Sequence, residues 1–445
     1  MIDMSPEIIA LAMFGLLLTF IFLGYPLGFS LAGVAIVVGF LAFETRVFNI
    51  LYSQAYGILT NYILVAIPLF VFMGIMIEQS GIGKAVFDTL EVWLYRLRGH
   101  IAIVVVLTGT ILAACVGIIA ASVVMLGLVA LPHMMSRGYN KELASGAICA
   151  GGTLGILIPP SIMLVVYGPI AEISVGKLFM AAFGPGLTLS ALYITYIFII
   201  TTIKPDWAPS GHDEAEKAIP LRTKFRLLFT SVIPVAVLVL TVLGSIFFGV
   251  AAPTEAAAVG ALAATLIALA RRGLTWSRLK EVVLGTAKIT GMIAVVAIGA
   301  IGFVGVFLAL GGGEVVGNFV LAAPGGKWGI FIIIMVIIFI LGMFIDWLGI
   351  IFIMVPLVTP IAEVLGFHEL WFAMMICVNL QMAFMSPPFA VAIYFLRGIT
   401  PPKYGISTAH IIRGVIPFIV LIWVGIGLMI AFPQIVLWLP SVMIR

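Results

Sequence analysis

The feature that most constrains this chain is a series of long apolar runs with no charge inside them. Ile8 to Gly24, Leu27 to Phe43, Tyr62 to Ile77 and Phe331 to Ile345 contain no Lys, Arg, Asp or Glu. At a rise of 1.5 Å per residue, about 20 helical residues cross the ~30 Å hydrocarbon core of a bilayer. Hydrophobic residues make up 63% of the 445 and charged residues 9%. Soluble domains average about 45–50% and about 25%, so a soluble surface of this size could not be covered. The chain is read as an integral membrane protein in a lipid bilayer. Period-two alternation is absent, so helices and not a closed barrel are expected to span it.

Spans are expected at 8–24, 26–43 and 61–78, followed by an amphipathic arm at 83–98. Hydrophobic stretches follow at 101–135, 141–171 and 178–202. One long polar loop, 203–226, holds KPDW and GHDEAEK. Spans are then expected at 227–249, 254–271 and 289–311, and longer stretches at 328–365, 369–396 and 409–432. The amino terminus, MIDMSPEI, lacks a basic n-region and a small-residue cleavage site, so 8–24 is read as a retained span.

Several functional classes lose support at this stage. Cys115, Cys149 and Cys377 lie in apolar segments without metal-ligand spacing, and the five histidines form no HExxH; small buried hydrophobes are the plain reading of the cysteines. No GK[ST] phosphate loop and no GxSxG elbow occurs, so neither ATP hydrolysis nor a serine nucleophile is expected, and no cofactor is implied. The net charge of +4 does not argue for nucleic acid, because membrane proteins gather Lys and Arg in cytoplasmic loops.

The polar loop divides the chain nearly in half, and a shift of 228 residues relates the halves. It carries Pro132 to Pro360, Gly138 to Gly366, Cys149 to Cys377, Pro159 to Pro387 and Pro160 to Pro388. This predicts an internal repeat: 1–202 as the first unit, 203–226 as a cytoplasmic linker and 227–445 as the second. The stretches 101–135 and 328–365 are long for one crossing and short for two crossings plus a turn. Their middles, CVGIIAAS and GMFIDWLG, hold Gly117 and Ser122, and Gly342, Asp346 and Gly349. Two re-entrant helical hairpins are expected, with pairs of tilted full spans as the alternative.

Positive charge gives an orientation. With the N-terminus outside, the cytoplasmic segments hold 16 of the 22 Lys and Arg residues; the outer segments hold Arg46, Lys177, Lys327 and Arg445, and Lys288 and Arg413 lie in or near span ends. This satisfies the positive-inside rule. An odd number of crossings in 1–202 then starts the second unit from the opposite face, so the repeats are expected to be inverted, with both termini periplasmic.

Inverted repeats with interrupted helices point to a secondary transporter. The stretch 141–171 is interrupted at GGTLGILIPPS (151–161) and 369–396 at NLQMAFMSPPF (379–389). Proline removes a backbone donor and clashes with the preceding turn. A Pro-Pro pair therefore frees carbonyls that in lipid must meet protein, water or an ion. Thr153, Asn379, Gln381 and Ser386 supply small polar groups beside the breaks. Asp346 is the one charged residue between Trp328 and Pro360. A carboxylate there costs at least about 2.5–3.5 kcal/mol unless paired, hydrated or ion-bound, so it is either a cation or substrate ligand or a water-facing helix cap. Glu255, at the start of a span after Pro253 and Thr254, is expected to cap its helix.

GTLGILIPPS (152–161), APTEAAAVGALAA (252–264) and MSPPFAVAIYFLRG (385–398) resemble the large membrane subunit of TRAP transporters (tripartite ATP-independent periplasmic transporters), the DctM-like proteins. The resemblance extends over nearly the whole chain. It implies an all-α polytopic membrane protein with two inverted repeats, two re-entrant hairpins and two discontinuous helices, working as an elevator. It also implies Na⁺ as coupling ion, a small four-helix membrane subunit, a periplasmic solute-binding protein and an organic acid as substrate, in a bacterial inner membrane. Carried onto this chain, one Na⁺ site falls between Gly117–Ser122 and Gly151–Gly155, including Thr153. The other falls between Asp346–Gly349 and Asn379–Ser386, including Gln381. Substrate would lie between the tips, near Ser122, Asp346 and the prolines Pro159, Pro160, Pro387 and Pro388. Many relatives have a Ser-rich first tip where this chain has one serine, so backbone carbonyls are expected to carry more of the first site. The nearest rival is a stand-alone Na⁺- or H⁺-coupled carboxylate symporter or antiporter. An intramembrane enzyme would call for paired buried carboxylates or a metal triad, and a scaffold would not need two broken helices in register.

Overall fold

The computed structural model describes residues 5–208, 219–271, 273–322 and 324–443. Within them the protein is entirely helical, as backbone polar groups in lipid require. The first half runs α1 (Pro6–Phe22), α2 (Leu27–Phe43), α3 (Val47–Leu59), α4 (Ala66–Gln79), α5 (Ile82–Leu94), α6 (His100–Val116), α7 (Ile119–Ser136), α8 (Lys141–Thr153), α9 (Ile162–Ile170) and α10 (Val175–Ile203). The second runs α11 (Leu221–Leu227), α12 (Ile233–Phe247), α13 (Pro253–Ala270), α14 (Trp276–Ala309), α15 (Gly312–Leu321), α16 (Gly326–Gly342), α17 (Trp347–Val364), α18 (Glu369–Ala383), α19 (Val391–Ile399), α20 (Thr408–Ala431) and α21 (Gln434–Ser441). Among the described residues, 9 helical runs are long and apolar enough to cross a membrane. The chain is a multi-pass membrane protein.

Several boundaries differ from expectation. The span expected at 289–311 is the later part of α14, a single helix of 34 residues, whose polar first turns hid its start. The linker expected at 203–226 is shorter at its end, because α11 already begins at Leu221 and runs through a π-helical turn, Leu228–Val232, into α12. Residues 209–218 of that linker, and the charges of Lys217, Arg272 and Arg445, lie outside the described residues. The arm stops at Leu94. Helices α3, α15 and α21 fall where no element was expected; α3, with Asn49, Ser53 and Gln54 among its tyrosines, does not read as a span. Glu255 does cap α13: the backbone N–H of Ala252 donates to its Oε2 at 2.9 Å.

Two packing neighbourhoods organise the helices. In one, α2, α3 and α4 pack on α13 and α14. In the other, α6 and α7 pack on each other and on α8, which also packs on α20. Apolar side chains gain little by leaving lipid for one another, so close backbone approach at small residues matters more here. A Cβ on Gly299 of α14 would lie 2.3 Å from the carbonyl oxygen of Gly28 in α2. One on Gly146 of α8 would lie 2.1 Å from that of Gly414 in α20. Any side chain at either glycine would push its helices apart.

The shift of 228 carries α7 onto α17 at both ends, Ile119 to Trp347 and Ser136 to Val364, and the start of α8 onto that of α18. The halves also cross over: α7 packs on α19 and α17 packs on α9, two contacts that correspond under the same shift. At the polar end of the first hairpin, the buried carboxylate of Glu91 on the arm lies 3.4 Å from Nδ1 of His133 and 3.5 Å from Arg137. This ties α5 to the end of α7. In the loop behind Arg137, burial pushes the Tyr139 phenol up to about 12.

Candidate functional site

Each hairpin turns on a short non-helical tip. At the first, α6 ends at Gly117, whose φ of 60° suits a residue without Cβ. Ile118 is extended, and α7 starts at Ile119. At the second, α16 ends at Gly342 and Asp346 is the N-cap of α17, its Oδ2 accepting from the Leu348 N–H at 3.4 Å. Of the two readings of Asp346, the cap contact is thus present, and the carboxylate remains half-buried with further lone pairs to offer.

The two interruptions fall where the Pro-Pro pairs placed them. After α8 the chain makes a 3₁₀ turn, Leu154–Ile156, and resumes as α9 at Ile162; the second break separates Ala383 from Val391. The Pro159–Pro160 and Pro387–Pro388 bonds are both cis. Ser161 Oγ donates back to the Ile156 carbonyl. The Phe389 N–H donates to the Met343 carbonyl at 3.2 Å, joining the second break to the second tip.

The sequence-predicted residues separate into two groups. The first tip lies over the first break: a Cβ on Gly155 would be 3.0 Å from Ser122 Oγ, and one on Gly117 would be 3.7 Å from the Pro160 carbonyl oxygen. Thr153 is buried nearby, donating to the Ala150 carbonyl at 3.0 Å. Gly151 instead faces α6, where its carbonyl oxygen would be 2.3 Å from a Cβ on Gly109; close helix packing accounts for it. Gly349 faces Leu27 and Ile345, again a packing position. In the second half, Asn379 is fully buried and its Nδ2 donates to the Met335 carbonyl at 2.7 Å.

Several of the candidate residues carry buried polar atoms without a hydrogen-bond partner. Ser122 Oγ, Asn379 Oδ1, both polar atoms of Gln381 and Ser386 Oγ are buried and make no hydrogen bond. A buried unsatisfied group costs about 1–3 kcal/mol, and each calls for an explanation such as water or an ion. Under the 228 shift Gln381 corresponds to Thr153.

Both tips open on one cavity of about 580 Å³. It is bordered by Gly117–Ala120 of the first tip and Asp346–Leu348 of the second, with Pro26–Phe29 of α2 and one face of α14 opposite. The breaks reach it through Ile156, Ile162, Phe384 and Val391, not through the prolines themselves, and Ser122 faces a smaller space beside Glu78, Lys84 and Met125. Sequence reasoning missed one lining residue of consequence, Lys288 of α14. The signal was there: Lys288 is the one charged residue between Glu281 and Glu314.

Comparison with known proteins gives the arrangement its context. The chain is 30% identical to the C4-dicarboxylate TRAP transporter large permease protein DctM of Pseudomonas aeruginosa, over 86% of this chain and 87% of that protein. It is 27% identical to the sialic acid TRAP transporter large permease protein SiaM of Vibrio cholerae, over 95% and 96%. Among solved structures, the YdaH transporter of Alcanivorax borkumensis superposes with a TM-score of 0.63 at 16% identity, over 96% of this chain and 99% of that one, a likeness of fold. Residues 14–435 match the family model described as the tripartite ATP-independent periplasmic transporter, DctM component. The chain belongs to that family, and is a transport protein and not an enzyme.

Proposed function

We propose that this chain is the large subunit of a Na⁺-coupled tripartite uptake system for an organic acid in a bacterial inner membrane. The observation that carries the reading is the meeting of two hairpin tips and two broken helices at one cavity; buried polar groups of both halves without a hydrogen-bond partner support it. A buried polar group without a protein partner calls for water, a ligand or an ion. The oxygen atoms of Ser122, Asn379, Gln381, Ser386 and Asp346, with the carbonyls freed at the breaks, are hard donors of the kind alkali cations take. Na⁺ would fill one site between Ser122 and Gly155 and a second between Asp346 and Gln381. Neutralising Asp346 by Na⁺ would then couple cation binding to an anionic substrate.

The movement proposed is an elevator. Hairpins and broken helices form the mobile unit, and α2, α3, α4, α13 and α14 form the scaffold. The cavity lies between the two packing neighbourhoods, as a site carried by one against the other would. The repeats are taken as inverted with both termini periplasmic, which the charge distribution favours. The hairpins are taken as re-entrant, with pairs of tilted full spans as the alternative. A small four-helix membrane subunit and a periplasmic binding protein complete the system, as the family's tripartite name calls for. The named relatives carry C4-dicarboxylate and sialic acid, both carboxylates, and a carboxylate is proposed for this chain. Screening organic acids for uptake by the complete transporter, with and without Na⁺, tests the proposal. Uptake of one acid that requires both Na⁺ and the binding protein is expected; uptake indifferent to Na⁺ would favour the H⁺-coupled or stand-alone alternative.

A further inference from the structure

Lys288 lies 12 residues into α14 and borders the same cavity as both hairpin tips. It shares a helix face with Gly291, Met292 and Val295, at spacings of three, four and seven residues, and each of them lines that cavity. The other lining residues are apolar or glycine, apart from Asp346 on the opposite wall. Among the described residues, no ion pair or hydrogen bond engages the Lys288 ammonium. Lys288 is exposed in this wall of Ile, Met and Val, so its ammonium is open to a ligand of opposite charge. The Asp346 carboxylate is turned to the Leu348 N–H and makes no ion pair with it. A volume of about 580 Å³ is in the range of small-molecule sites, roughly 300–1,000 Å³.

We propose that Lys288 binds the carboxylate of the transported anion, so that the substrate bridges a fixed cation on the scaffold and the two hairpin tips. This rests on the transport reading above and names the residue of that site that selects for an anion. Because Lys288 belongs to the scaffold neighbourhood, the substrate would lose this contact when the hairpin unit moves. Lys288 would thus hold the anion in one end state of the transport cycle and release it in the other.

The test uses the complete three-component transporter in proteoliposomes, with succinate and N-acetylneuraminate as probes. For whichever acid the unsubstituted transporter takes up, Lys288→Gln should raise KM about tenfold or more, the scale of losing one charge-assisted contact. Lys288→Arg should stay within about threefold, since the charge is kept. An unchanged KM in Lys288→Gln overturns the proposal, as does a fall in kcat alone, which would signal a structural role. A second measurement does not depend on uptake: Lys288→Cys, with the three native cysteines replaced by Ala, is treated with a membrane-impermeant thiosulfonate reagent carrying a sulfonate. Modification is expected. A folded, inserted protein that resists modification would place position 288 against lipid and overturn the proposal. If the unsubstituted transporter takes up neither acid, the transport reading fails for those acids, while the modification result still decides whether position 288 fronts an aqueous cavity.

Discussion

Asp346 stands where two demands meet. It caps α17 through the Leu348 N–H, and it puts a carboxylate beside the cavity. Asparagine caps a helix as well as aspartate does, so Asp346→Asn separates the two. The variant is expected to fold and insert normally and to lose Na⁺-dependent uptake; uptake at the unsubstituted level would leave the cap as its whole role. Gln381 allows a similar separation. Its amide is buried with neither atom bonded, so Gln381→Leu should leave thermal stability unchanged or raise it by about 1 kcal/mol. The same change should shift the Na⁺ concentration for half-maximal uptake upward about tenfold. A large loss of stability with normal Na⁺ dependence would make Gln381 structural. These two residues stand out in the sequence because a charge or amide inside an apolar run has few bland explanations. Lys288 was equally isolated in sequence but lay beside the expected edge of a span, where a snorkelling lysine is ordinary. Only the structure shows that it borders the same cavity as the tips. The packing roles of Gly151 and Gly349 were not legible either, because a glycine's sequence neighbours do not say which helix will press against it.

At the scale of elements, proline was the most informative residue. The Pro-Pro pairs located both breaks, and the stretches 101–135 and 328–365 located the hairpins to within a few residues of α6–α7 and α16–α17. Replacing Pro159 and Pro160 with Ala should let α8 run on into α9, restoring the backbone bonds that proline forbids. Uptake should then lose its Na⁺ dependence; unchanged dependence would show the break to be a kink without a role in coupling. Two short elements escaped notice for different reasons: Asn49, Ser53 and Gln54 dilute the apolar run of α3, and Glu314 and its neighbouring glycines interrupt that of α15. The arm depends on a different device. Glu91 is buried against His133 and Arg137, and Glu91→Gln leaves Arg137 without that counter-charge. Removing one partner of such a buried pair costs about 3 kcal/mol, so thermal unfolding in detergent should occur at lower temperature. An unchanged unfolding temperature would show that the arm is held by its apolar face alone.

For the whole molecule, the 228-residue correspondence appears at two levels, in the proline and cysteine positions of the sequence and in the crossed contacts of α7 with α19 and α17 with α9. Those contacts join hairpins and broken helices of the two halves, and α17 also packs directly on α14 beside the cavity. An elevator needs such a joined unit and a surface to move along. The sequence carried the membrane class, the breaks and the family motifs; the assignment of helices to two packing neighbourhoods required tertiary contacts that no local pattern encodes. The central claim is that a Na⁺ gradient drives an organic acid through this cavity when a binding protein delivers it. The most direct measurement is uptake of the identified acid into proteoliposomes containing both membrane subunits, with the binding protein outside, an inward Na⁺ gradient and no ATP. Accumulation is expected to stop when either the gradient or the binding protein is withheld. Accumulation that continues without the gradient, or that needs ATP, would contradict it.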